Sequence, residues 1–224
     1  MKDKRERKRE NTWIKSAILI LTSGGDGSLT LPNWLTLTRI LILPLLVLFL
    51  LQGSPASRTI AATIFITAAL TDWLDGYLAR HLNEASPFGA FLDPVADKLM
   101  VSVVLVLLAA DATLVSSVIS PVLFTVVTAI IIGREITISA LREWMAELGR
   151  RGVVRVGWIG KVKTTIQFIA ITVLLGAESV PHPAFLVIGE GLLYAAGALT
   201  LWSMFIYLRG AWPTLAEQAQ RTET

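Results

Sequence analysis

The sequence predicts an all-α membrane protein that crosses the bilayer several times. Of its 224 residues, 54% are hydrophobic and 17% are charged, whereas soluble domains carry about 25% charged residues. The apolar residues form runs near the ~20 residues that a helix needs to cross a bilayer, and strand-type alternation is absent. The lack of cysteine excludes disulfide frameworks, Cys–zinc sites and thiol catalysis.

A basic tail, residues 1–30, precedes the apolar part of the chain. Seven of the first fifteen residues are Lys or Arg. The apolar stretch 13–21 is too short to span, and its apolar residues share one helical face, so we expect it to lie on the membrane surface. A signal peptide also combines a basic start with a short apolar core, but Lys15 interrupts that core and no Ala-x-Ala site follows. A flexible Gly/Ser linker, residues 23–28, ends the tail.

Six spanning helices are predicted in a membrane domain of residues 31–210. We place them near residues 35–51, 59–80, 96–110, 121–139, 162–175 and 185–207. Gly, Pro and Ser mark the breaks between them. In the last helix, the small residues Gly191 and Ala195 form a candidate packing face, within the chain or across a dimer. Residues 211–224 form a C-terminal tail.

The distribution of Lys and Arg predicts the orientation. With six spans, both termini and the loops around residues 80–95 and 140–160 share one side, which collects nearly every basic residue. The three opposite loops hold only Arg58. We therefore expect a multi-pass protein of the inner, or cytoplasmic, cell membrane with both termini in the cytoplasm. Its basic face suits anionic membrane lipids, and no nucleic-acid partner is expected.

Four aspartates lie on the second and third predicted helices, close to the cytoplasmic side. Asp72 and Asp75 belong to TDWLDGYLAR, and Asp93 and Asp97 belong to FGAFLDPVADK. A charged residue at mid-bilayer costs about 2.5–3.5 kcal/mol. Residues three or four apart share a helix face, so two adjacent antiparallel helices can bring all four acids together. Divalent cations would relieve their repulsion, and an all-oxygen shell favours Mg²⁺ or Mn²⁺ over zinc.

The residues between the aspartates suit a phosphate ligand. Gly76, Ala79 and Gly89 are small and allow close approach of a ligand or a helix, and Arg80 is a permanent cation. Two metal ions could bridge phosphates and stabilise an in-line displacement. A cation-coupled transporter is the alternative, because transporters also carry intramembrane acids. The acids of a transporter would line a path across the whole membrane, whereas these four lie toward one side. On the later helices, Glu190 is the nearest candidate for a further acid on such a path.

The pattern of these residues resembles the signature of the CDP-alcohol phosphatidyltransferase family, with eight fixed positions at the spacing Asp72-x2-Asp75-Gly76-x2-Ala79-Arg80-x8-Gly89-x3-Asp93-x3-Asp97. The similarity covers residues 31–207, and the stretches NWLTLTRI and WIGKVKTTIQ resemble the branch that makes phosphatidylglycerophosphate in bacteria. The resemblance implies that CDP-diacylglycerol reacts with sn-glycerol 3-phosphate to give phosphatidylglycerophosphate and CMP. It also implies two divalent ions, Mg²⁺ or Mn²⁺, and a homodimer.

The resemblance further implies roles for the residues at the motif positions. Asp72, Asp75 and Asp93 would be metal ligands, and Asp97 would be both a ligand and the base that deprotonates the attacking hydroxyl. Contacts to the CDP-lipid are implied for Asn33, Thr36, Gly76, Arg80 and Ser86. Asn33 is equally suited to capping the first helix.

Four cations near the same cytoplasmic face are candidates for binding the acceptor's phosphate: Arg134, Arg142, Lys161 and Lys163. Positive-inside topology or anionic-lipid attraction would also place basic residues there. Another acceptor, such as inositol phosphate, serine or phosphatidylglycerol, would keep the fold and the metal site. No Ser–His pairing is apparent, so we expect direct displacement without a covalent intermediate.

Overall fold

The computed structural model describes residues 31–82, 87–150, 158–177, 179–180 and 182–222. These ranges contain helices and no strand, which confirms the all-α prediction. The helices are α1 Leu31–Gln52, α2 Pro55–Leu82, α3 Pro87–Ala110, α4 Ala112–Ser117, α5 Pro121–Glu147, α6 Trp158–Gly176 and α7 Ala184–Thr222. The basic tail, residues 1–30, lies outside the described residues.

The helix ends follow the local sequence. Ser120 caps α5, which then begins with a proline, a residue whose fixed φ suits the first helical turn. The Asp111 side chain caps α4 and accepts hydrogen bonds from two backbone N–H groups at 3.0 and 3.2 Å. Gly53 and Gly149 have φ values of +66° and +71° at the ends of α1 and α5, a conformation that favours glycine.

Two compact units can be distinguished in the chain. Among the described residues, unit 1 holds 31–48, 63–82 and 87–100, and unit 2 holds 49–62 together with those from 101 onward. All four signature aspartates therefore belong to unit 1. The four candidate acceptor cations all belong to unit 2.

Close helix packing in unit 2 depends on small residues of α7. That helix packs against both α5 and α6. A Cβ atom at Gly197 would lie 2.7 Å from a methyl carbon of Val127, and one at Gly189 would lie 2.9 Å from Cγ of Leu174. Glycine thus permits both approaches. A Cβ at Gly191 would meet nothing within 4 Å in the described structure, so the predicted Gly191 face does not pack within that part of the chain.

Two helical stretches of the described chain are long and apolar enough to cross a membrane, Pro121–Glu147 and Ala184–Thr214. Two shorter apolar segments are Leu37–Gln52 and Val162–Gly176. Many large apolar side chains are exposed, including those of Leu41, Val122 and Trp202, as expected where lipid replaces water around the protein. The membrane character is consistent with these features, and the count of six spans stays a prediction.

Several boundaries differ from the predicted ones, and α3 begins at Pro87, well before the predicted residue 96. Helix α4 occupies a stretch that was predicted as a loop. The sequence did not indicate this helix, because six residues are too few to show a helical period. Helix α5 continues past residue 139 to Glu147. Helix α7 continues through Pro213 to Thr222, so most of the predicted C-terminal tail is helical.

Candidate active site

The predicted metal-binding aspartates lie on two consecutive helices, α2 and α3, in the parts of these helices that belong to unit 1. Asp72 and Asp75 are part of α2, and Asp93 and Asp97 are part of α3, so each pair keeps the spacing that places both residues on one helix face. The side chains of Asp72, Asp75 and Asp93 lie outside the described residues. Oxygen is the only donor type that these four positions offer, which fits a hard divalent cation.

Asp97 forms an ion pair with Arg39 of α1. The Nη1 atom of Arg39 donates to Oδ1 of Asp97 at 2.9 Å. The Arg39 side chain is 2% exposed, whereas the Asp97 side chain is 46% exposed. The buried guanidinium thus holds a carboxylate that remains accessible, and the charge-assisted hydrogen bond restricts the orientation of that carboxylate.

Arg39 was not among the predicted site residues. A signal was present, because Arg39 is a lone cation in the apolar stretch TLTRILIL, and a charge within a membrane helix usually has a partner and a function. The partner of Arg39 could not be predicted from the sequence, because Asp97 lies 58 positions away on another helix.

The predicted CDP-lipid contacts lie on α1 and α2 or outside the described residues. Gly76 and Arg80 are part of α2, and Asn33 and Thr36 are part of α1, but none of these four side chains is described. Ser86 lies wholly outside the described residues. Because α1 already begins at Leu31, Asn33 lies in its first turn, which weakens the alternative that it caps the helix.

Two of the four predicted acceptor cations meet in unit 2, and we call their surroundings the cation cluster, defined as Arg134, Glu135, Lys163, Ser203 and Tyr207. Nζ of Lys163 donates to Oε1 of Glu135, and Nη1 of Arg134 donates to the same oxygen at 3.3 Å. Nη2 of Arg134 donates to Ser203 Oγ at 2.9 Å. The guanidinium lies 5.6 Å from the ring centroid of Tyr207, within cation–π range.

The cation cluster is buried and carries an excess of positive charge. The side chains of Arg134 and Lys163 are 8% and 2% exposed, and that of Glu135 is 20% exposed. Two cations and one acid leave a net charge of +1, and Nε of Arg134 has no hydrogen-bond partner in the described structure. Buried charge is costly unless it is compensated, so this arrangement favours binding of an anion.

The other two predicted acceptor cations are placed differently. Arg142 is exposed on α5, two helical turns beyond Arg134. Lys161 is part of α6, but its side chain lies outside the described residues. Within the cation cluster, sequence reasoning missed Glu135, Ser203 and Tyr207, although Glu135 is visible as an acid within an apolar helix.

A second buried arginine–carboxylate pair lies elsewhere in unit 2. Arg58 of α2 donates to Asp111, the residue that also caps α4, and Arg58 is buried. A cavity of about 240 Å³ adjoins this pair and is lined mainly by leucines, with Arg58 and Asp111 as its charged residues. The two opposite charges balance, which suits a structural link between helices better than an anion site.

Glu190, the exception considered for a transport path, is also fixed in unit 2. It is buried, accepts a hydrogen bond from the backbone N–H of Ile119 at 3.0 Å, and accepts another from the Tyr194 hydroxyl. These two donors bind different carboxylate oxygens. Glu190 therefore links α7 to the segment between α4 and α5, and a transport role is not favoured.

Comparison with known proteins extends this assignment over most of the chain. A family model described as CDP-alcohol phosphatidyltransferase matches residues 29–202. A relative from Pseudomonas fluorescens, named CDP-diacylglycerol–glycerol-3-phosphate 3-phosphatidyltransferase, is 46% identical over 201 residues, covering 86% of this chain and 95% of its own. A relative of that name from Sodalis glossinidius is 48% identical over 183 residues, covering 82% and 95%. An Arabidopsis thaliana relative, with the same name followed by the number 2, is 46% identical over 194 residues, covering 85% and 83%.

Proposed function

The chain belongs to the CDP-alcohol phosphatidyltransferase family, and we propose that it transfers the phosphatidyl group of CDP-diacylglycerol to sn-glycerol 3-phosphate. The products are phosphatidylglycerophosphate, a phospholipid precursor, and CMP. The observation that carries the choice of acceptor is the identity of 46% and 48%, over most of this chain, to relatives whose printed names give that activity. The net positive charge of the cation cluster agrees with a phosphorylated acceptor.

Two divalent ions, of the Mg²⁺ or Mn²⁺ type, are part of the proposal. Divalent ions are general in this family, and Asp72, Asp75, Asp93 and Asp97 are the residues that would hold them. When bound, the ions would neutralise charge on the pyrophosphate of the CDP-lipid. The CDP part of the donor would contact Gly76 and Arg80, with Asn33, Thr36 and Ser86 as further contacts.

Asp97 is the proposed base, and Arg39 keeps its carboxylate in place. The Asp97 carboxylate orients the acceptor hydroxyl and takes its proton. The hydroxyl oxygen forms a bond to the phosphorus on the lipid side of the pyrophosphate, and the bond from that phosphorus to the bridging oxygen breaks, so that CMP leaves. The electron pair of the broken bond stays with CMP, and the phosphatidyl group passes directly to the acceptor.

The acceptor's phosphate is assigned to the cations of unit 2. Arg134 and Lys163 carry this role, and Arg142 and Lys161 are the additional candidates. A guanidinium and an ammonium together suit a phosphate monoester, because both donate charge-assisted hydrogen bonds. The excess positive charge of the buried cation cluster supports the assignment.

The proposed topology has six spans, with both termini and the active site on the cytoplasmic side of the inner membrane. The distribution of Lys and Arg along the sequence supports this orientation. A homodimer is part of the proposal as well, and the exposed faces of Gly191 and Ala195 leave room for helix packing between two copies.

Release of CMP by the purified protein in detergent tests the proposed function. The assay contains CDP-diacylglycerol, Mg²⁺ or Mn²⁺, and one acceptor at a time from a panel of glycerol 3-phosphate, serine, inositol phosphate and phosphatidylglycerol. We expect release only with glycerol 3-phosphate, together with phosphatidylglycerophosphate as the lipid product. Release of CMP with a different acceptor would agree with the family but contradict glycerol 3-phosphate as the acceptor. Release with none of the acceptors would contradict the proposed function.

A further inference from the structure

Glu135 is a charged residue of the cation cluster to which the proposed reaction gives no role. It follows Arg134 directly on α5, whereas Lys163 lies 28 positions away on α6. One oxygen of its carboxylate, Oε1, accepts from both cations. Glu135 therefore fixes the distance between a guanidinium and an ammonium that belong to different helices.

The burial of Lys163 explains why an acid is needed at this position. An ammonium that is 2% exposed is costly to bury unless an opposite charge compensates it. A single carboxylate compensates one of the two cations, and the cluster keeps one positive charge. Glu135 thus lowers the free-energy cost of burying Lys163 and Arg134, and the cluster keeps the positive charge that would attract an anion.

We infer that Glu135 is a positioning residue for the acceptor. It orients Nζ of Lys163 and the guanidinium of Arg134 before glycerol 3-phosphate binds, so that the phosphate monoester meets donors already in place. Preorganised donors bind more tightly because less conformational freedom is lost on binding. This inference rests on the proposed function, since it gives Glu135 an effect only through two cations that bind the acceptor.

Changing the acid to its amide at two sites separates positioning from general stabilisation. Glu135→Gln and Asp111→Asn each remove one negative charge beside a buried arginine and keep the shape of the side chain. We expect Glu135→Gln to raise the KM for glycerol 3-phosphate about tenfold, with the KM for CDP-diacylglycerol within about twofold of the wild type. Asp111→Asn, the matched control, leaves both KM values unchanged. Glu135→Asp, which keeps the charge on a shorter side chain, recovers part of the loss.

A double-mutant cycle with Lys163→Ala shows whether Glu135 acts through the lysine. If it does, the combination of Glu135→Gln and Lys163→Ala raises the acceptor KM by less than the product of the two single effects, and the remaining effect of Glu135→Gln is the part that acts through Arg134. Full multiplication of the two effects, or an equal rise in both KM values for Glu135→Gln, would overturn the inference. If Glu135→Gln does not fold, Glu135→Asp decides, because a positioning role requires a selective change in its acceptor KM.

The inference and the proposed function can fail separately. If Lys163→Ala and Arg134→Ala both leave the acceptor KM unchanged, the assignment of the cation cluster to the acceptor is wrong, and the inference fails with it. If both variants raise the acceptor KM while Glu135→Gln does not, the proposed function stands and only the role of Glu135 is overturned.

Discussion

The two units use arginine–carboxylate pairs in opposite ways. In unit 1 the cation, Arg39, is buried, and its partner Asp97 is 46% exposed, so the pair presents a carboxylate. In the cation cluster of unit 2, two buried cations share one acid, Glu135, so the cluster carries excess positive charge. The exposed carboxylate of unit 1 therefore agrees with its proposed use in proton transfer. The excess positive charge of the cation cluster in unit 2 agrees with its proposed use in anion binding.

The Arg58–Asp111 pair differs from both of these arrangements. One cation meets one acid, so the charges balance, and both oxygens of Asp111 accept hydrogen bonds within the protein. Removing one partner of a buried ion pair destabilises a protein, because the other charge is left uncompensated. The comparison predicts that variants in unit 1 change kcat, that variants in the cation cluster change the acceptor KM, and that variants of Arg58–Asp111 change only stability.

Asp97→Asn should give the largest effect. The amide keeps the shape of the side chain but cannot take the proton, so kcat should fall by about 10²–10⁴-fold. Binding of CDP-diacylglycerol, measured by equilibrium binding in detergent, should remain within a few-fold of the wild type. Retention of near wild-type turnover would remove Asp97 from the role of base.

Arg39→Ala should come next, because it removes the hydrogen bond that Arg39 donates to Asp97. We expect kcat to fall by about 10–100-fold, the value of one charge-assisted hydrogen bond, while the KM for glycerol 3-phosphate changes little. Arg39→Lys keeps the charge and should restore part of kcat. A rise in the acceptor KM with unchanged kcat would break the division between the two units.

Arg134→Ala and Lys163→Ala should act on acceptor binding. Each removes a cation that the cluster directs at the phosphate, so we expect the KM for glycerol 3-phosphate to rise by about tenfold or more. At saturating acceptor, kcat should approach that of the wild type. Steady-state kinetics with each substrate varied in turn measures both, and equal effects on the two KM values would contradict the assignment.

Asp111→Asn should give the smallest kinetic effect and a measurable loss of stability. It leaves the buried Arg58 without a compensating charge and weakens the cap of α4, so the free energy of unfolding should fall by about 1–3 kcal/mol. Thermal unfolding in detergent would show a lower Tm with unchanged KM values. A selective change in the acceptor KM would give this pair a role in binding that its balanced charge does not predict.

The sequence predicted local features well and long-range pairs poorly. The helical placement of Asp72, Asp75, Asp93 and Asp97 follows from spacing within single helices, which depends on neighbours in the chain. The pairing of Arg39 with Asp97 depends on how separate helices pack, which spacing does not encode. The same holds for Lys163 and Glu135.

Boundaries and packing faces show the same limit. The stretch that forms α4 was predicted as a break between helices, because its six residues are too few for a periodic pattern. The last helix was predicted to end near residue 207, yet α7 continues through Pro213 to Thr222. Gly189 and Gly197 make the close approaches, whereas the spacing of Gly191 and Ala195 had suggested that pair, because spacing does not tell which face of a helix meets its neighbour.

The most direct test of the separation between chemistry and acceptor binding is the affinity for glycerol 3-phosphate of the wild type, Asp97→Asn and Arg134→Ala. Isothermal titration in detergent measures this affinity. All three proteins are titrated with glycerol 3-phosphate in the presence of Mg²⁺ alone. The strongly impaired Asp97→Asn is also titrated in the presence of both Mg²⁺ and CDP-diacylglycerol. We predict that Asp97→Asn binds the acceptor within about threefold of the wild type, whereas Arg134→Ala binds it about tenfold more weakly. Loss of acceptor binding in Asp97→Asn, together with wild-type binding in Arg134→Ala, would contradict the account.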